Sequence, residues 1–235
     1  MRARRRRLTR WIGYGLLLVF AGFVLVQMWC AAHIWYWVDH NPQSTAFMRA
    51  RLEAMRTEQP RARIYQRWLP YRRISANLKR AVVAAEDAKF SSHNGFDWDE
   101  IQRAFERNIR EGEIVRGGST ITQQLAKNLF LSGERTWWRK GEEALIAVML
   151  ESIMSKRRIL EIYLNVIEWG DGIFGAEAAA RHHFGESAAA LDPEQAARLA
   201  AMVPSPRRYL PGSYTPYLAE RTATILARMN SARIP

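Results

Sequence analysis

A stretch without a single Asp, Glu, Lys or Arg runs from residue 11 to residue 38, and it limits what this chain can fold into. As an α-helix it would be about 42 Å long, which exceeds the hydrocarbon core of a bilayer, about 30 Å. Aromatic residues gather at both ends of the stretch, as they do at the two interfaces of a membrane-spanning helix. We therefore predict a transmembrane anchor over residues 11–38.

An Arg-rich tail precedes this stretch, with six Arg among the first ten residues. Because cytoplasmic flanks carry an excess of Lys and Arg, we predict residues 1–10 to be a cytoplasmic tail and the chain beyond about residue 39 to lie outside the cytoplasm. A cleaved signal peptide is the alternative. The apolar run is longer than the usual core of about 7–15 residues, and the segment 30–32 is a weak cleavage site, so we expect an uncleaved anchor.

The charge balance is strongly basic, with 35 Lys and Arg against 23 Asp and Glu and a formal net charge of +12. Without the six Arg of the tail the balance is still 29 against 23. The remaining excess indicates an anionic partner: phospholipid headgroups, pyrophosphate or nucleic acid. The predicted topology argues against nucleic acid. The only cysteine, Cys30, lies in or beside the anchor, which excludes an intramolecular disulfide, and the sequence has no pattern of a structural metal site.

The chain after the anchor divides into two parts. Residues 39–73 are rich in Arg with scattered apolar residues, and we predict a basic juxtamembrane stalk that contacts anionic headgroups; a solvated connector is the alternative. Residues 74–235 read as successive helices without a convincing run of alternating strands, so we predict one mainly α domain. Capping residues precede several of these helices: Ser75, Asp97 with Glu100, Thr120 with Gln123, and Asp192 with Gln195.

The first candidate site is the segment 86–95, which begins with Glu86 and Asp87. Glu86 lies four residues after Val82 and eight after Leu78, so it shares their apolar helix face. Loss of water at that face would raise the pKa of the carboxyl toward the range useful for proton transfer. The alternative is a buried structural partner of a nearby Arg or of His93.

The second candidate is the segment 117–128, in which two glycines and two hydroxyls lead into a helix start. Free N–H groups and the helix dipole favour an anion there, and Lys127 lies one turn after Gln123. The order of residues differs from a P-loop, and an ordinary capped helix is the alternative. Gly112, Gly117 and Gly118 mark an expected mobile loop.

The third candidate is the segment 139–143, in which Arg139 and Glu143 are spaced as an i, i+4 ion pair. Glu143, together with Glu151 two turns later, lies beside apolar helix turns. The two separated carboxylates Glu86 and Glu143, together with the cations Lys127 and Arg139, suit glycosyl transfer with an anionic leaving group. Two later segments, 156–165 and 172–180, are apolar or alanine-rich, and we interpret both as structural.

Taken together and in this order, these segments resemble the five motifs of the peptidoglycan glycosyltransferases, glycosyltransferase family 51. The first four motifs of that family read E-D-x-x-F-x-x-H-x-G, G-G-S-T-x-T-Q-Q-x-x-K-N, R-K-x-x-E and K-x-x-I-L-E-x-Y-L-N. The segments that match, the fifth included, are 86–95, 117–128, 139–143, 156–165 and 172–180. The similarity runs from about residue 44 to residue 211.

The resemblance implies a lysozyme-like, mostly helical glycosyltransferase domain behind a single N-terminal transmembrane helix. It implies polymerisation of lipid II into β-1,4-linked glycan strands, with inversion and release of undecaprenyl diphosphate. By that likeness Glu86 is the general base that deprotonates the GlcNAc 4-hydroxyl of an incoming lipid II, and Glu143 is a second catalytic residue that supports the pyrophosphate site. The predicted substrate-binding residues are Asp87, Ser119, Thr120, Gln123, Lys127, Asn128, Arg139 and Lys140, of which Lys127 and Arg139 would hold the pyrophosphate.

The same resemblance places the domain on the periplasmic side of a bacterial inner membrane. Its expected partners are lipid II, the growing glycan chain, membrane lipids and other cell-wall synthesis or division proteins. The sequence requires no cofactor; a divalent cation, Mg²⁺ or Mn²⁺, at the pyrophosphate is a family-level expectation without identified ligands. The chain ends soon after the matched region, so we expect no transpeptidase domain.

Two other functions are compatible with parts of the pattern. A muramidase or lytic transglycosylase can share a lysozyme-like fold, but it would use a Glu as general acid and would not need Lys127 and Arg139. A membrane-tethered scaffold for cell-wall assembly would tolerate replacement of Glu86 and Glu143.

Overall fold

A computed structural model describes residues 2–111, 118–131 and 136–235. Within these ranges the chain is mainly helical, which confirms the predicted fold class. The helices are α1 Arg2–Tyr36, α2 Ala46–Glu58, α3 Ala76–Glu86, α4 Trp98–Glu111, α5 Ile121–Phe130, α6 Trp137–Ile153, α7 Lys156–Val166, α8 Ala176–Phe184, α9 Pro193–Met202 and α10 Pro216–Met229. Two 3₁₀ turns lie at Tyr71–Arg73 and Pro206–Arg208.

The helix starts follow the capping residues that the sequence contains. Ser75 accepts a hydrogen bond from the backbone N–H of Asn77 at the start of α3. Complete capping boxes begin α5, with Thr120 and Gln123, and α9, with Asp192 and Gln195. Of the loop predicted from three glycines, Gly112 and Gly117 lie outside the described residues. Gly118 has a φ of +84°, a left-handed conformation that favours glycine.

A small sheet was not expected from the sequence. It consists of β1 Tyr65–Gln66, β2 Glu168–Gly170 and β3 Ile173–Phe174 in the order β1-β3-β2. β1 runs parallel to β3 and β2 antiparallel to it. Strands of two or three residues are too short to show the alternating pattern by which a strand is recognised.

The predicted stalk, residues 39–73, is packed into the domain rather than separate from it. Met48, Leu69 and Tyr71 of this segment are buried in the core, and β1 pairs with β3. Asn165, fully buried on α7, accepts a hydrogen bond from the Leu69 N–H at 2.8 Å and donates to the Leu69 carbonyl at 3.0 Å. The basic character that suggested a stalk belongs to side chains on its outer surface: Arg49, Arg56, Arg61, Arg63, Arg67, Arg72 and Arg73.

The core is built around α7, on which Ile159, Leu160, Ile162, Tyr163 and Leu164 are fully buried. This confirms the structural interpretation of those apolar positions. α3, α9 and α10 pack against one another, while α5 packs against α6, α7 and α2. These two groups of helices carry the candidate residues of the first and second motifs into contact.

The N-terminal helix α1 contains a segment, Arg10–Tyr36, that is long and apolar enough to cross a membrane by length and composition. Most of that segment is exposed, but its last turns join the domain: Cys30 and Ile34 are buried, and α1 packs against α6. The Phe130 ring at the end of α5 lies 5.8 Å from the Trp29 ring and 5.4 Å from the Trp37 ring, centroid to centroid. The anchor is therefore in direct contact with α5. The sidedness of the anchor stays a prediction.

Arg158 of α7 joins the end of the anchor to the domain. Its guanidinium donates hydrogen bonds to the carbonyls of Trp37 at 2.9 Å and His40 at 2.6 Å, and to the side-chain oxygen of Asn41 at 3.0 Å. Glu161 lies 3.1 Å from the same guanidinium. Carbonyls at the C-terminal end of a helix carry partial negative charge, so a cation there stabilises both the helix end and its docking.

We expect Arg158→Met to lower the free energy of unfolding by about 1–3 kcal/mol, because the partly buried Trp37 carbonyl and two further acceptors lose a charged donor. The matched control is Arg157→Met on the same helix. Arg157 is exposed and lies over the Tyr71 ring at 4.7 Å, so its replacement should cost below about 1 kcal/mol. Thermal unfolding of the detergent-solubilised chain, followed by circular dichroism, measures both. Equal losses for the two variants would contradict the docking role of Arg158.

Candidate active site

Glu86 is the last residue of α3 and lies on the face predicted from the sequence, since Leu78 and Val82 are fully buried. Its side chain is 10% exposed. Glu86 Oε2 accepts a hydrogen bond from Gln124 Nε2 at 2.9 Å, and Gln124 Oε1 accepts one from the Tyr163 hydroxyl at 2.7 Å. α3, α5 and α7 thus meet in one chain of hydrogen bonds that ends at the carboxylate.

Burial raises the pKa of Glu86 above its ordinary value, and Asp87 adds to the rise. The hydrogen bond from Gln124 and the charge of Arg221 act in the opposite direction but do not cancel the effect of burial. Burial and the carboxylates of Glu86 and Asp87 raise the pKa of Tyr163 well above its ordinary value. Tyr163 therefore keeps its proton and serves as the donor to Gln124. A carboxyl with a raised pKa suits proton transfer near neutral pH.

Asp87, the next residue, binds His93 and the start of α5 at the same time. The Gly95 N–H donates to His93 Nδ1 at 3.2 Å, so His93 Nε2 carries the ring proton and donates to Asp87 Oδ1 at 2.8 Å. Asp87 Oδ2 accepts from the Ile121 N–H at 3.0 Å. The alternative that paired Glu86 with His93 is therefore wrong, because Asp87 takes that place. An Arg does lie near Glu86: Arg221, at 3.6 Å.

The N-terminal end of α5 differs from the open anion site that we expected. The N–H of Ile121 is bound by Asp87, that of Thr120 by the Gln123 side chain, and that of Gln123 by the Thr120 hydroxyl. The Thr120 hydroxyl in turn donates to the Gly95 carbonyl at 2.7 Å. The negative charge favoured at this helix start is thus supplied by the protein itself. Asp87, Thr120 and Gln123, predicted to bind substrate, are buried and support the site from inside.

The third motif is joined to the second by Lys140. Its ammonium forms an ion pair with Glu143 and donates to Ser119 Oγ at 3.3 Å. The predicted pair between Arg139 and Glu143 is not formed; on α6 the i, i+3 neighbour Lys140 reaches the carboxylate instead. Glu143 is 4% exposed, and the Nε of the half-buried Arg139 has no hydrogen-bond partner in residues 2–111, 118–131 and 136–235. The Lys140 ammonium therefore lies beside Ser119, and Arg139 is the preceding residue of α6.

The remaining candidates lie on α5 and α6. Lys127 is half-buried on α5, one turn after Gln124, and Asn128 donates to the Gln124 carbonyl at 2.8 Å. Glu151 accepts hydrogen bonds from the Thr122 hydroxyl and from Lys156, the latter at 2.7 Å. Glu151 is therefore held in a structural network, which separates it from Glu86 and Glu143.

A family model described as Transglycosylase matches residues 53–230, more than half of the chain. The chain belongs to the transglycosylase family. Its relatives include proteins named biosynthetic peptidoglycan transglycosylase from Nitrosospira multiformis, 58% identical over 96% of this chain and 98% of the relative, and from Methylobacillus flagellatus, 59% identical over 94% and 96%. The relative from Azoarcus sp. strain BH72 is 56% identical over 98% of this chain and 99% of its own length. The match to the family begins inside the predicted stalk, in agreement with its packing.

Three members of this transglycosylase site were missed as site residues by sequence reasoning. Gln124 lies inside the second motif, and the density of amide side chains there was a signal for it. Tyr163 was interpreted as core, which its burial bears out, but its hydroxyl also reaches Gln124. Arg221 comes from α10, beyond the last motif, and no sequence pattern singled it out.

The described residues contain no group of three or more His, Cys, Asp or Glu placed to hold a metal ion. The expected divalent cation at the pyrophosphate therefore has no ligand set among these side chains and stays a prediction. Among the described residues, the Lys140 ammonium is the cation that contacts Ser119.

We expect Glu86→Gln to unfold at the same temperature as the wild type or at a higher one at pH 7. Because the pKa of Glu86 is raised in the folded state, the folded chain binds this proton more tightly than the unfolded chain does, and stability falls as the pH rises through that pKa. The amide removes this cost of burying a charge.

Glu177→Gln is the matched control, because the pKa of Glu177 is shifted in the opposite direction. Burial alone would raise the pKa of Glu177, but hydrogen bonds from Ser187, Ala188 and Arg181 lower it below its ordinary value. Its stabilising effect is present at neutral pH and is lost as the pH falls through the folded-state pKa, so the amide should cost about 1–3 kcal/mol at pH 7. Thermal unfolding of both variants at pH 7 measures the difference. A large loss in Glu86→Gln would show that the charged carboxylate stabilises the fold.

Proposed function

We propose that this chain polymerises lipid II into β-1,4-linked glycan strands by an inverting reaction that releases undecaprenyl diphosphate. Membership of the family makes the chain a peptidoglycan glycosyltransferase; the substrate, the stereochemistry and the residue roles are the proposal. The observation that carries it is the buried carboxylate of Glu86, which accepts a hydrogen bond from Gln124, itself held by Tyr163; Lys127 lies one turn after Gln124 on α5.

At the acceptor end, Glu86 removes the proton from the GlcNAc 4-hydroxyl as that oxygen attacks the anomeric carbon of the growing strand. Oε2 accepts the hydrogen bond from Gln124, whereas Oε1 is buried and has no hydrogen-bond partner within the described part of the chain. A hydroxyl that approaches Oε1 would satisfy this oxygen and lose its proton to it. The raised pKa of the carboxyl supports this role, since a base is most effective when its pKa lies near the working pH.

At the donor end, the leaving pyrophosphate gains negative charge as its bond to the anomeric carbon breaks and the new glycosidic bond forms. Lys127, Arg139 and Lys140 supply cations, and Ser119 and Asn128 supply neutral hydrogen-bonding groups. Fixed charges placed where charge develops lower the barrier because they need no reorganisation during the reaction. A bound Mg²⁺ or Mn²⁺ would add to the same effect.

Glu143, predicted as a second catalytic residue, supports the donor end through Lys140. Its side chain is almost fully buried and forms an ion pair with the half-exposed Lys140 ammonium, which also reaches Ser119. A buried carboxylate of this kind fixes the direction of the ammonium. We therefore propose that Glu143 orients Lys140 toward the pyrophosphate.

The exposed apolar side chains suit a lipid-linked substrate. On α4 the rings of Trp98 and Phe105 and the side chain of Ile109 are exposed, as are Trp137 and Trp138 at the start of α6. Exposure of these apolar side chains to water is unfavourable, whereas contact with a membrane surface would cover them. Together with α1, this supports a domain seated on the periplasmic face of the inner membrane, where lipid II and other cell-wall synthesis or division proteins would meet it.

The function is tested with labelled lipid II and detergent-solubilised chain, with the products separated on a gel. We expect a ladder of glycan strands from the wild type and a rate lower by about 10²–10⁴-fold for Glu86→Gln. Glu58→Gln, an exposed carboxylate on α2, is the matched control and should polymerise like the wild type.

The raised pKa of Glu86 would also suit a general acid, which is what a muramidase or lytic transglycosylase needs. Clearing of purified sacculi by the wild type, without a ladder from lipid II, would replace the proposal by that reaction. Neither activity in folded protein would point to a scaffold for cell-wall assembly. Polymerisation by Glu86→Gln at the wild-type rate would remove Glu86 from its role as base.

The role of Glu143 is tested by a double-mutant cycle with Lys140. If Glu143 acts by orienting Lys140, Lys140→Met and Glu143→Gln should each slow polymerisation roughly tenfold or more, and the double variant should be no slower than the worse single variant. Rates from the lipid II assay give the coupling directly. Effects that multiply in the double variant would show that Glu143 acts independently of Lys140.

A further inference from the structure

The C-terminal helix α10 places a cation against the predicted base. Arg221 Nη2 lies 3.6 Å from Glu86 Oε1. This residue lies outside all five motifs, and α10 reaches the site because it packs against α3 and α9 through Leu218, Thr222, Ile225 and Met229. The position of Arg221 is therefore set by the core rather than by a loop.

The contact between Arg221 and Glu86 is an ion pair without a hydrogen bond. Both Glu86 Oε1 and Arg221 Nε are buried atoms that find no hydrogen-bond partner among the residues that the structure describes. Buried polar atoms in proteins are nearly always bonded, so two such atoms at one place indicate a position that another group fills during function. A guanidinium at 3.6 Å stabilises the negative charge of the carboxylate while leaving the lone pairs of Oε1 available.

Among the described residues, the charged and titratable groups that act on Glu86 come from three elements. Asp87 follows it at the end of α3, Tyr163 approaches from α7 and Arg221 from α10, while α5 contributes the neutral Gln124. Asp87 disfavours the ionised form of Glu86, and Tyr163 stays neutral. Among these neighbours, Arg221 is the one whose charge favours the carboxylate.

We propose that Arg221 is a positioning residue for the base: it keeps Glu86 ionised in its buried place and leaves Oε1 free for the acceptor hydroxyl. This inference rests on the proposed role of Glu86. In the reaction, the proton of the hydroxyl passes to Oε1 while the new C–O bond forms and the bond to the pyrophosphate breaks, with the electron pair leaving on the pyrophosphate. Arg221 itself neither gives nor takes a proton.

The inference predicts a particular pH dependence. Without the guanidinium, burial and Asp87 act on Glu86 unopposed by this cation, so its pKa rises further. Polymerisation requires the ionised carboxylate, so the acidic limb of the pH–rate profile should move to higher pH in Arg221→Gln. The activity lost at low pH should return as the pH is raised. Arg221→Lys keeps a cation at the same helix position. The acidic limb of its profile should lie between those of the wild type and Arg221→Gln.

The experiment measures initial rates of lipid II polymerisation over a range of pH for the detergent-solubilised full chain. The variants are Arg221→Gln, Arg221→Lys, Glu86→Gln and, as matched control, Arg228→Gln, an exposed residue of the same helix whose profile should equal that of the wild type. Helix content and thermal unfolding in the same detergent identify a variant that fails to fold. If Arg221→Gln fails to fold, the position of the acidic limb in Arg221→Lys tests the inference instead.

A limb that moves to higher pH in Arg221→Gln and partly back in Arg221→Lys supports the inference. A uniform loss at all pH values, or a rise in KM with the limb unmoved, overturns it and assigns Arg221 to the fold or to substrate binding. An active Glu86→Gln would instead overturn the proposed function itself. An inactive Glu86→Gln with an unmoved limb in the Arg221 variants overturns the inference alone.

Discussion

The two hydrogen bonds of Asp87 fix the geometry on which the rest of the site depends. One carboxylate oxygen binds the ring of His93 and the other binds the first turn of α5. Because Asp87 directly follows Glu86, this contact sets the end of α3 against α5 and brings Glu86 within reach of Gln124. A carboxylate at a helix start also meets the positive end of the helix dipole, so it is well satisfied despite its burial. The two adjacent acids thus have different roles. Asp87 fixes the position of α5 relative to α3, and Glu86 is left for the proposed chemistry.

The site has two ends because α5 separates them. Near its start, Ser119 meets the Lys140 ammonium, which Glu143 holds from α6. One turn further on, Gln124 meets Glu86. Glycosyl transfer to a hydroxyl needs this separation, since the base must ionise at the acceptor while cations remain at the leaving group. A cation hydrogen-bonded to the base would lower the pKa of its carboxyl and occupy the oxygen that takes the proton; Arg221, 3.6 Å away and without a hydrogen bond, favours the carboxylate but leaves Oε1 available.

Much of this could be read from the sequence, and the exceptions have physical causes. The anchor, the helices and their caps follow from local patterns and were predicted, as were the family and its motifs. The strands were missed because a segment of two or three residues is too short to show the alternation of apolar and polar residues that indicates a strand. The pairing of Glu143 with Lys140 was missed because i, i+3 and i, i+4 neighbours are equally within reach on a helix. The occupation of the α5 start by Asp87, and the approach of Arg221, depend on tertiary packing and leave no local signal.

The anchor also takes part in the geometry of the site. α5 is bound at its start by Asp87, and at its end Phe130 packs against Trp29 and Trp37 of the anchor region. A helix of ten residues is about 15 Å long, so Lys127 and Gln124 lie within that distance of the anchor. Arg158 holds the same end of the anchor from α7. These contacts hold the proposed catalytic groups at a fixed distance from the predicted membrane anchor. A substrate whose pyrophosphate lies at the lipid surface requires a site held at a fixed short distance from that surface.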